Sequence, residues 1–143
     1  MARITVETHL PATPEAVWAD ISRLESHVEW MVDVESIEFL SATHRGPGTR
    51  MRVATRVGPF RTSDVMAFTA WEPPALLVVS HQGLFTGEGR FVLEPIDGGT
   101  RFRWEEDIRF PWYLGGPIGA WLARPVLAAI WRRNLRRLSA RFG

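Results

Sequence analysis

The last third of the chain predicts one long amphipathic helix, which we place from Ile118 to Phe142. At about 100° per residue its apolar side chains fall in one sector, and Arg132, Arg133 and Arg136 fall opposite. The apolar sector contains Val126, Leu127, Ile130, Trp131, Leu135, Leu138 and Phe142. Such a helix must lie across an apolar surface, and only the strands before it supply one. Pro125 lacks an N–H donor and predicts a bend in this helix.

Strand patterns fill most of the remaining chain, where apolar and polar side chains alternate between turns rich in glycine and proline. Seven strands are predicted, at Arg3–Leu10, Val34–Leu40, Thr49–Val57, Phe60–Trp71, Leu76–Gln82, Gly87–Glu94 and Thr100–Phe110. Thr13 and Pro14 start a short helix that ends near Ser22, and Leu24–Met31 is a second helical piece or a loop. Neighbouring strands joined by short turns pair antiparallel, so we expect an α+β domain with one antiparallel sheet.

Composition excludes several classes of function. The chain has 143 residues, a net charge of +1 and no cysteine. This length predicts a single domain over residues 1–143, and the charge gives no overall preference for nucleic acid. The lack of cysteine excludes disulfides and thiolate metal sites and favours the cytoplasm. Neither a signal peptide nor a membrane-spanning stretch is predicted, so we expect no stable membrane insertion.

Glu106 is an acid on an apolar face of the last strand. Phe102, Trp104 and Ile108 share one face, and strand parity places Glu106 with them. Burial there would raise the pKa of the carboxyl, so that it could act as a general acid or base in enolisation, aldol closure or dehydration. The alternative is a structural carboxylate that a bulge or an arginine satisfies at the rim.

Three other polar residues are candidates for a site. His81 ends the fifth strand, where a histidine at a cavity mouth could move protons, although most such histidines have no such role. Asp64 shares parity with apolar side chains, but we interpret it as a surface acid because the other strand face is almost as apolar. Asn134 lies within the apolar helix sector and needs a partner: a ligand carbonyl, a water or, as we favour, a strand backbone group. The other histidines are too scattered to be metal ligands, so we expect no metal and no cofactor.

Cap and turn motifs recur along the chain in a fixed order. They are Pro14-Glu15-Ala16-Val17-Trp18, Asp20, Trp30, Gly46-Pro47-Gly48-Thr49-Arg50, Glu72-Pro73-Pro74, Gly98-Gly99-Thr100-Arg101 and Asn134-Leu135-Arg136-Arg137-Leu138. With these motifs the chain resembles the START-like, helix-grip superfamily, and within it the bacterial polyketide cyclase/dehydrase and lipid-transport family. The resemblance implies a curved seven-stranded sheet wrapped around a long C-terminal helix, with two short helices after the first strand. It also implies an apolar small-molecule ligand, which some members transform.

The seven tryptophans suggest a pocket for a ring-containing or lipid-like ligand, although such side chains also fill cores. The expected ligand-binding residues are Trp30, Met31, Met51, Val53, Phe68, Phe91, Trp104, Trp112, Trp121, Ile130, Trp131 and Asn134.

Three functions remain open. The first is a module that binds a hydrophobic small molecule, lipid-like or aromatic polyketide-like, in a cavity between the sheet and the C-terminal helix. The second is a polyketide cyclase or dehydratase in which Glu106 moves protons and His81 or Asn134 orients a carbonyl. The third is an interaction protein whose aromatic entrance and bent helix meet a membrane surface or a macromolecule. We expect no nucleic-acid partner, and a monomer or a homodimer.

Overall fold

The computed structural model describes residues 2–143. Its strands are β1 (Ala2–Leu10), β2 (Val34–Phe39), β3 (Arg50–Val57), β4 (Phe60–Glu72), β5 (Leu76–Gln82), β6 (Thr86–Ile96) and β7 (Gly99–Arg109). Its helices are α1 (Pro14–Ile21), α2 (His27–Trp30) and α3 (Gly116–Ala140), and short 3₁₀ turns at Leu24–Ser26 and Trp112–Leu114 precede α2 and α3. The predicted order of elements is confirmed, with ends that differ by one or two residues.

The seven strands form one antiparallel sheet in the order β1-β7-β6-β5-β4-β3-β2. The first and last strands of the chain are neighbours, and they pair from Ala2 opposite Ile108 to Leu10 opposite Thr100. Register shifts interrupt β2 and β4 and add curvature to the sheet. Because α3 packs chiefly on β1 and less on β7, it covers one side of the concave face more than the other.

Local sequence explains where α1 starts. The Thr13 hydroxyl accepts a hydrogen bond from the backbone N–H of Ala16 at 3.2 Å. Pro14 follows in the first turn, where its missing N–H has no intrahelical partner to lose, and Glu15 lies at the positive end of the helix dipole. These contacts are the ones that the sequence predicts for this cap.

The two faces of α3 follow the predicted pattern in its C-terminal half. Trp131, Leu135 and Leu138 are buried there, and the arginines opposite them are exposed. The prediction is wrong for Val126, which is 55% exposed, because the first half of α3 carries an apolar outward face as well. The helix begins two residues earlier than predicted and runs through Pro125 as one element. The bend at that proline stays a prediction.

Aromatic side chains fill the space between α3 and the β1–β7–β6 side of the sheet. Trp104 of β7 stacks on Trp131 of α3 with ring centroids 5.1 Å apart. Trp30 and Phe91 meet Trp104 edge-on at 6.2 and 5.3 Å. We call the region around His27, Trp30, Phe91 and Phe102 the sealed end of the concave face. Its packing fixes α2 and α3 on the sheet.

Candidate functional site

A buried acid and histidine meet on the concave face. Glu106 is only 6% exposed, as strand parity predicts, and its Oε2 lies 2.7 Å from Nε2 of His81. The indole N–H of Trp104 donates to the other oxygen, Oε1, at 2.9 Å. The sequence therefore placed the carboxyl on the correct face, and the structure adds two partners for it.

A glycine in β6 makes this contact possible. His81 lies on β5 and Glu106 on β7, so β6 separates the two residues in the sheet. The β6 residue opposite Glu106 is Gly89, and a Cβ there would lie 2.5 Å from the carboxylate. Because Gly89 carries no side chain, the carboxyl lies above β6 and reaches the imidazole. A glycine inside a strand is the sequence signal for this close approach, and Gly89 is not among the residues singled out from the sequence.

Asp64 is a correction to the sequence analysis. It is 9% exposed instead of lying on the surface, and the backbone N–H of Leu84 donates to its Oδ1 at 3.0 Å. The turn between β5 and β6 brings this N–H and Gly83 onto the Asp64 carboxyl, which strand parity alone does not reveal. Burial raises the pKa of Asp64, and the Leu84 N–H offsets part of that effect. We call Asp64, His81 and Glu106 the polar end of the concave face.

The charge of His81 depends on its acidic neighbours. Burial by itself would lower the pKa of this imidazole, but attraction to Glu106 and the hydrogen bond between them outweigh it. The charge of Asp64 acts in the same direction, and the pKa of His81 is raised. The geometry thus favours an imidazolium next to a carboxylate, which places a proton donor and a proton acceptor side by side.

The indole N–H of a buried tryptophan lacks an acceptor. The indole N–H of Trp30 is fully enclosed and has no hydrogen-bond partner among residues 2–143. Trp30 contacts Trp104, which in turn bonds Glu106, so this N–H belongs to the same neighbourhood as the polar end. A carbonyl oxygen or a water that reached Trp30 would satisfy the indole.

Most of the expected ligand-binding residues lie in the interior, and two do not. The buried ones are Trp30, Met31, Met51, Val53, Phe68, Trp104 and Trp131, with Phe91 and Ile130 partly buried. Trp112 and Trp121 are 86% and 62% exposed, outside the concave face. They lie in the turn before α3 and on the outward side of its first half.

Asn134 is fully buried, as expected, but its partners differ from the predicted strand backbone. Its Oδ1 accepts from the N–H of Val32 at 2.9 Å, and its Nδ2 donates to Oδ1 of Asp33 at 2.8 Å. Both partners lie between α2 and β2. The amide therefore joins that connection to α3.

Two open depressions mark the surface, and neither lies beneath the centre of α3. One, of about 630 Å³, runs along β5, β6 and β7 and reaches His81 and Glu106, but most of its lining lies on the face of the sheet away from α3: Arg3, Ser80, Glu88, Arg90, Glu105, Asp107 and Arg109. The other, of about 460 Å³, lies between β1 and α3. Beneath α3, Trp104 packs against both Trp30 and Trp131, and the open cavity predicted there stays a prediction.

Two other features are absent from residues 2–143. Within that range no three histidine, aspartate or glutamate side chains gather as a metal site. The helices of the same range include none with the length and apolar character needed to cross a bilayer.

Comparisons with known proteins identify the fold. The family model described as polyketide cyclase / dehydrase and lipid transport matches residues 1–143. A protein from Thermus thermophilus is 22% identical, with a TM-score of 0.78 over 99% of this chain and 97% of its own. A START superfamily protein from Mycobacterium smegmatis is 14% identical, with a TM-score of 0.80 over 98% and 96%.

A third solved structure has two such domains. The di-domain ARO/CYC protein StfQ of the steffimycin biosynthetic pathway is 14% identical, with a TM-score of 0.77 over 96% of this chain and 49% of that one. No curated protein matches this chain. The curved antiparallel sheet and its long C-terminal helix are thus a helix-grip fold. Since the family model covers the whole sequence, the chain belongs to the polyketide cyclase / dehydrase and lipid transport family.

Proposed function

We propose that the protein binds an apolar small molecule, lipid-like or aromatic polyketide-like, against the concave face near the polar end. One observation carries the proposal: a buried His81–Glu106 pair lies on an otherwise apolar face, 2.7 Å apart. Burying two ionisable groups costs several kcal/mol per ion before their attraction offsets it. Perturbed, buried pairs of this kind cluster at functional sites.

The opening for such a ligand lies beside the pair. Met66, Val79 and Ile108 share the concave face with His81, and all three are only partly buried. The sealed end, by contrast, is closed by Trp30 and Phe102, which are fully buried. An apolar surface with few polar groups is typical of small-molecule sites. The ligand therefore enters over β4 and β5, which α3 covers less than β1, and extends from there toward Trp104 and Trp30.

Two donors point to a carbonyl or hydroxyl on the ligand. The imidazolium of His81 donates a hydrogen bond, and the enclosed N–H of Trp30 requires an acceptor. Met51, Val53 and Phe68 extend the apolar wall on β3 and β4, as the sequence predicts. Phe91, Trp104, Ile130 and Trp131 contact the ligand once the rings of the sealed end shift to admit it.

Native mass spectrometry of freshly purified protein tests binding directly, because a retained ligand adds its mass. Calorimetric titration then measures the affinity for a fatty acid and for a polycyclic aromatic ketone. The variant is Trp30→Phe, which keeps an aromatic ring but removes the N–H, and the control is Trp112→Phe. We expect Trp30→Phe to weaken binding about tenfold, by about 1.4 kcal/mol, and the control to leave it unchanged. No retained mass and no heat with either ligand would refute the proposal.

A second candidate function is catalysis at the same place, supported by the imidazolium–carboxylate pair. The Glu106 carboxylate would take a proton from a carbon next to a carbonyl, and the enolate carbon would then attack a second carbonyl. His81 would protonate the resulting alkoxide. The neutral imidazole would then take the second proton from the same carbon while the proton on Glu106 leaves with the hydroxyl as water, which restores the imidazolium and the carboxylate. This sequence is an aldol closure and dehydration, and it consumes no other reagent.

Glu106→Gln separates the two candidates. The amide keeps the shape of the side chain but cannot accept the proton, so turnover of a linear polyketone should fall about 10²–10⁴-fold while binding persists. Unchanged turnover would remove the catalytic role and leave the binding proposal standing. A cytoplasmic location, a monomer or homodimer, and the absence of nucleic acid, metal and cofactor all stay predictions.

A further inference from the structure

The turn before α3 and the first half of α3 form an exposed apolar surface. Its members are Trp112, Tyr113, Leu114, Ile118, Trp121, Leu122 and Val126, exposed by 86, 60, 40, 71, 62, 61 and 55%. We call these seven residues the aromatic rim. Contiguous exposed apolar surface of this kind marks an interaction site on a folded domain, whereas single exposed residues do not.

The outward face of α3 changes character along its length. At about 100° per residue, Ile118 and Leu122 share a stripe with Arg132, Arg133 and Arg136 farther along the helix. All five side chains are exposed. At 1.5 Å per residue, the apolar and cationic parts together extend about 27 Å. One helix face therefore presents apolar side chains first and guanidinium groups after them.

The segment that forms this face carries charge of a single sign. Beyond Asp107 the sequence contains arginines and no acid. Arg124, Arg132, Arg133 and Arg136 form no ion pair with any of residues 2–143. The depression of about 460 Å³ between β1 and α3 is lined by Trp121 and Leu122 together with Arg124 and Arg132, so the apolar and cationic parts adjoin.

The exposed apolar side chains and the adjacent arginines distinguish between two possible binding partners, a second copy of this chain and a lipid surface. A symmetric pairing of two copies through the rim would bring Arg124 and Arg132 of each copy together, with no acid on α3 to compensate them. An anionic lipid surface instead supplies the opposite charge for the arginines and an interfacial region for tryptophan and tyrosine. We propose that the aromatic rim and the outward arginines of α3 dock the protein on the surface of an anionic lipid bilayer.

The docked protein lies on the bilayer and does not cross it. An interfacial helix buries its apolar side chains at the boundary between headgroups and acyl chains, while its cationic side chains contact anionic headgroups. The aromatic rim makes the contact with the boundary of the acyl chains. Arg132, Arg133 and Arg136 make the contact with the anionic headgroups. Neither contact uses the polar end of the sheet, so docking is independent of the proposed ligand site.

Co-sedimentation with vesicles tests this inference. The full chain is mixed with vesicles of phosphatidylcholine alone, or of phosphatidylcholine containing phosphatidylglycerol, at low and high salt. We expect binding only to the anionic vesicles, with loss of binding at high salt. Trp112→Ser combined with Trp121→Ser, and Arg132→Gln combined with Arg133→Gln, should each weaken binding about tenfold or more.

Matched controls come from the opposite part of the molecule. Phe60 is 71% exposed at the start of β4, and Arg50 is exposed on β3. Phe60→Ser combined with Arg50→Gln should leave vesicle binding and its salt dependence unchanged. Failure to bind either vesicle, or equal binding to neutral and anionic vesicles, would overturn the proposal. So would a dimer in sedimentation velocity that Trp121→Ser dissociates, because the rim would then be a contact between copies.

Discussion

The two buried histidines of the concave side have opposite electrostatic surroundings. His27, at the sealed end, lies between the rings of Trp30 and Phe91 and is hydrogen bonded through Nε2 to the carbonyl of Ile21 at 2.8 Å. Burial lowers its pKa, so it is neutral and Nε2–H donates this bond. His81, at the polar end, is also largely buried, yet contact with the Glu106 carboxylate raises its pKa.

The difference shows that burial does not by itself decide whether a histidine is charged. Both imidazoles lose water, which disfavours the imidazolium in each case. Only His81 has a carboxylate in direct contact, and the attraction to Glu106, the hydrogen bond with it and the charge of Asp64 together exceed the loss of hydration. The sealed end therefore stabilises the fold through the packing of neutral side chains. The polar end retains a charged His81 beside Glu106, and the packing of the fold does not require that charge.

The largest loss of stability is expected from a substitution that disrupts the packing of the sealed end. Trp30→Ala removes a fully buried ring and should lower the free energy of unfolding by about 3–5 kcal/mol. Trp112→Ala is the control, because that side chain is 86% exposed, and should change it by no more than about 0.5 kcal/mol. Urea denaturation followed by circular dichroism measures both. Equal, small losses would mean that the sealed end is loosely packed.

A smaller loss of stability is expected when a methyl group is placed in the space above β6 at the polar end. Gly89→Ala places a Cβ 2.5 Å from the Glu106 carboxylate, which must leave His81 or Trp104, and should cost about 1–3 kcal/mol. In a Glu106→Ala background the same change should cost less, since no carboxylate remains to be displaced. Urea denaturation of the single and double variants measures the coupling. Additive costs would contradict the role assigned to Gly89.

The smallest effect is the pH dependence of the two histidines, observed by NMR titration of their ring protons. His81 should titrate above its ordinary pKa of 6.5 and His27 below it. The stabilisation from His81 is complete below pH 6.5 and is lost as the pH rises through its raised folded-state pKa. That from His27 is present above pH 6.5 and is lost as the pH falls through its lowered one.

Glu106→Gln tests the cause of the difference in pKa between His81 and His27. The variant removes the charge that raises the pKa of His81, so burial should then prevail and the pKa should fall, as it does for His27. His27 serves as the internal control and should titrate as before, because Glu106 is not among the groups that shift its pKa. An unchanged His81 titration would show that another group holds its proton.

Periodicity along the chain was enough to place Glu106 on the concave face and Asn134 on the buried face of α3. It was not enough for Asp64, since both faces of β4 carry apolar side chains and the decisive contact comes from the β5–β6 turn. The same limit applies to Trp112 and Trp121, whose aromatic character suits a pocket lining and an exposed rim equally well. Which of the two they form depends on whether the side chain faces the sheet or solvent, and both face solvent.

Local sequence patterns were sufficient to predict the elements, the antiparallel sheet, the start of α1 and most of the inward faces, because each depends on residues close together in the chain. The partners of the buried polar side chains followed only from the three-dimensional fold. His81 and Glu106 are 25 residues apart, and Val32 and Asn134 are 102 apart. Such contacts depend on strand register, on Gly89 in the strand between His81 and Glu106 and on how deeply aromatic rings pack. Each of these depends on many contacts between residues that are distant in the chain.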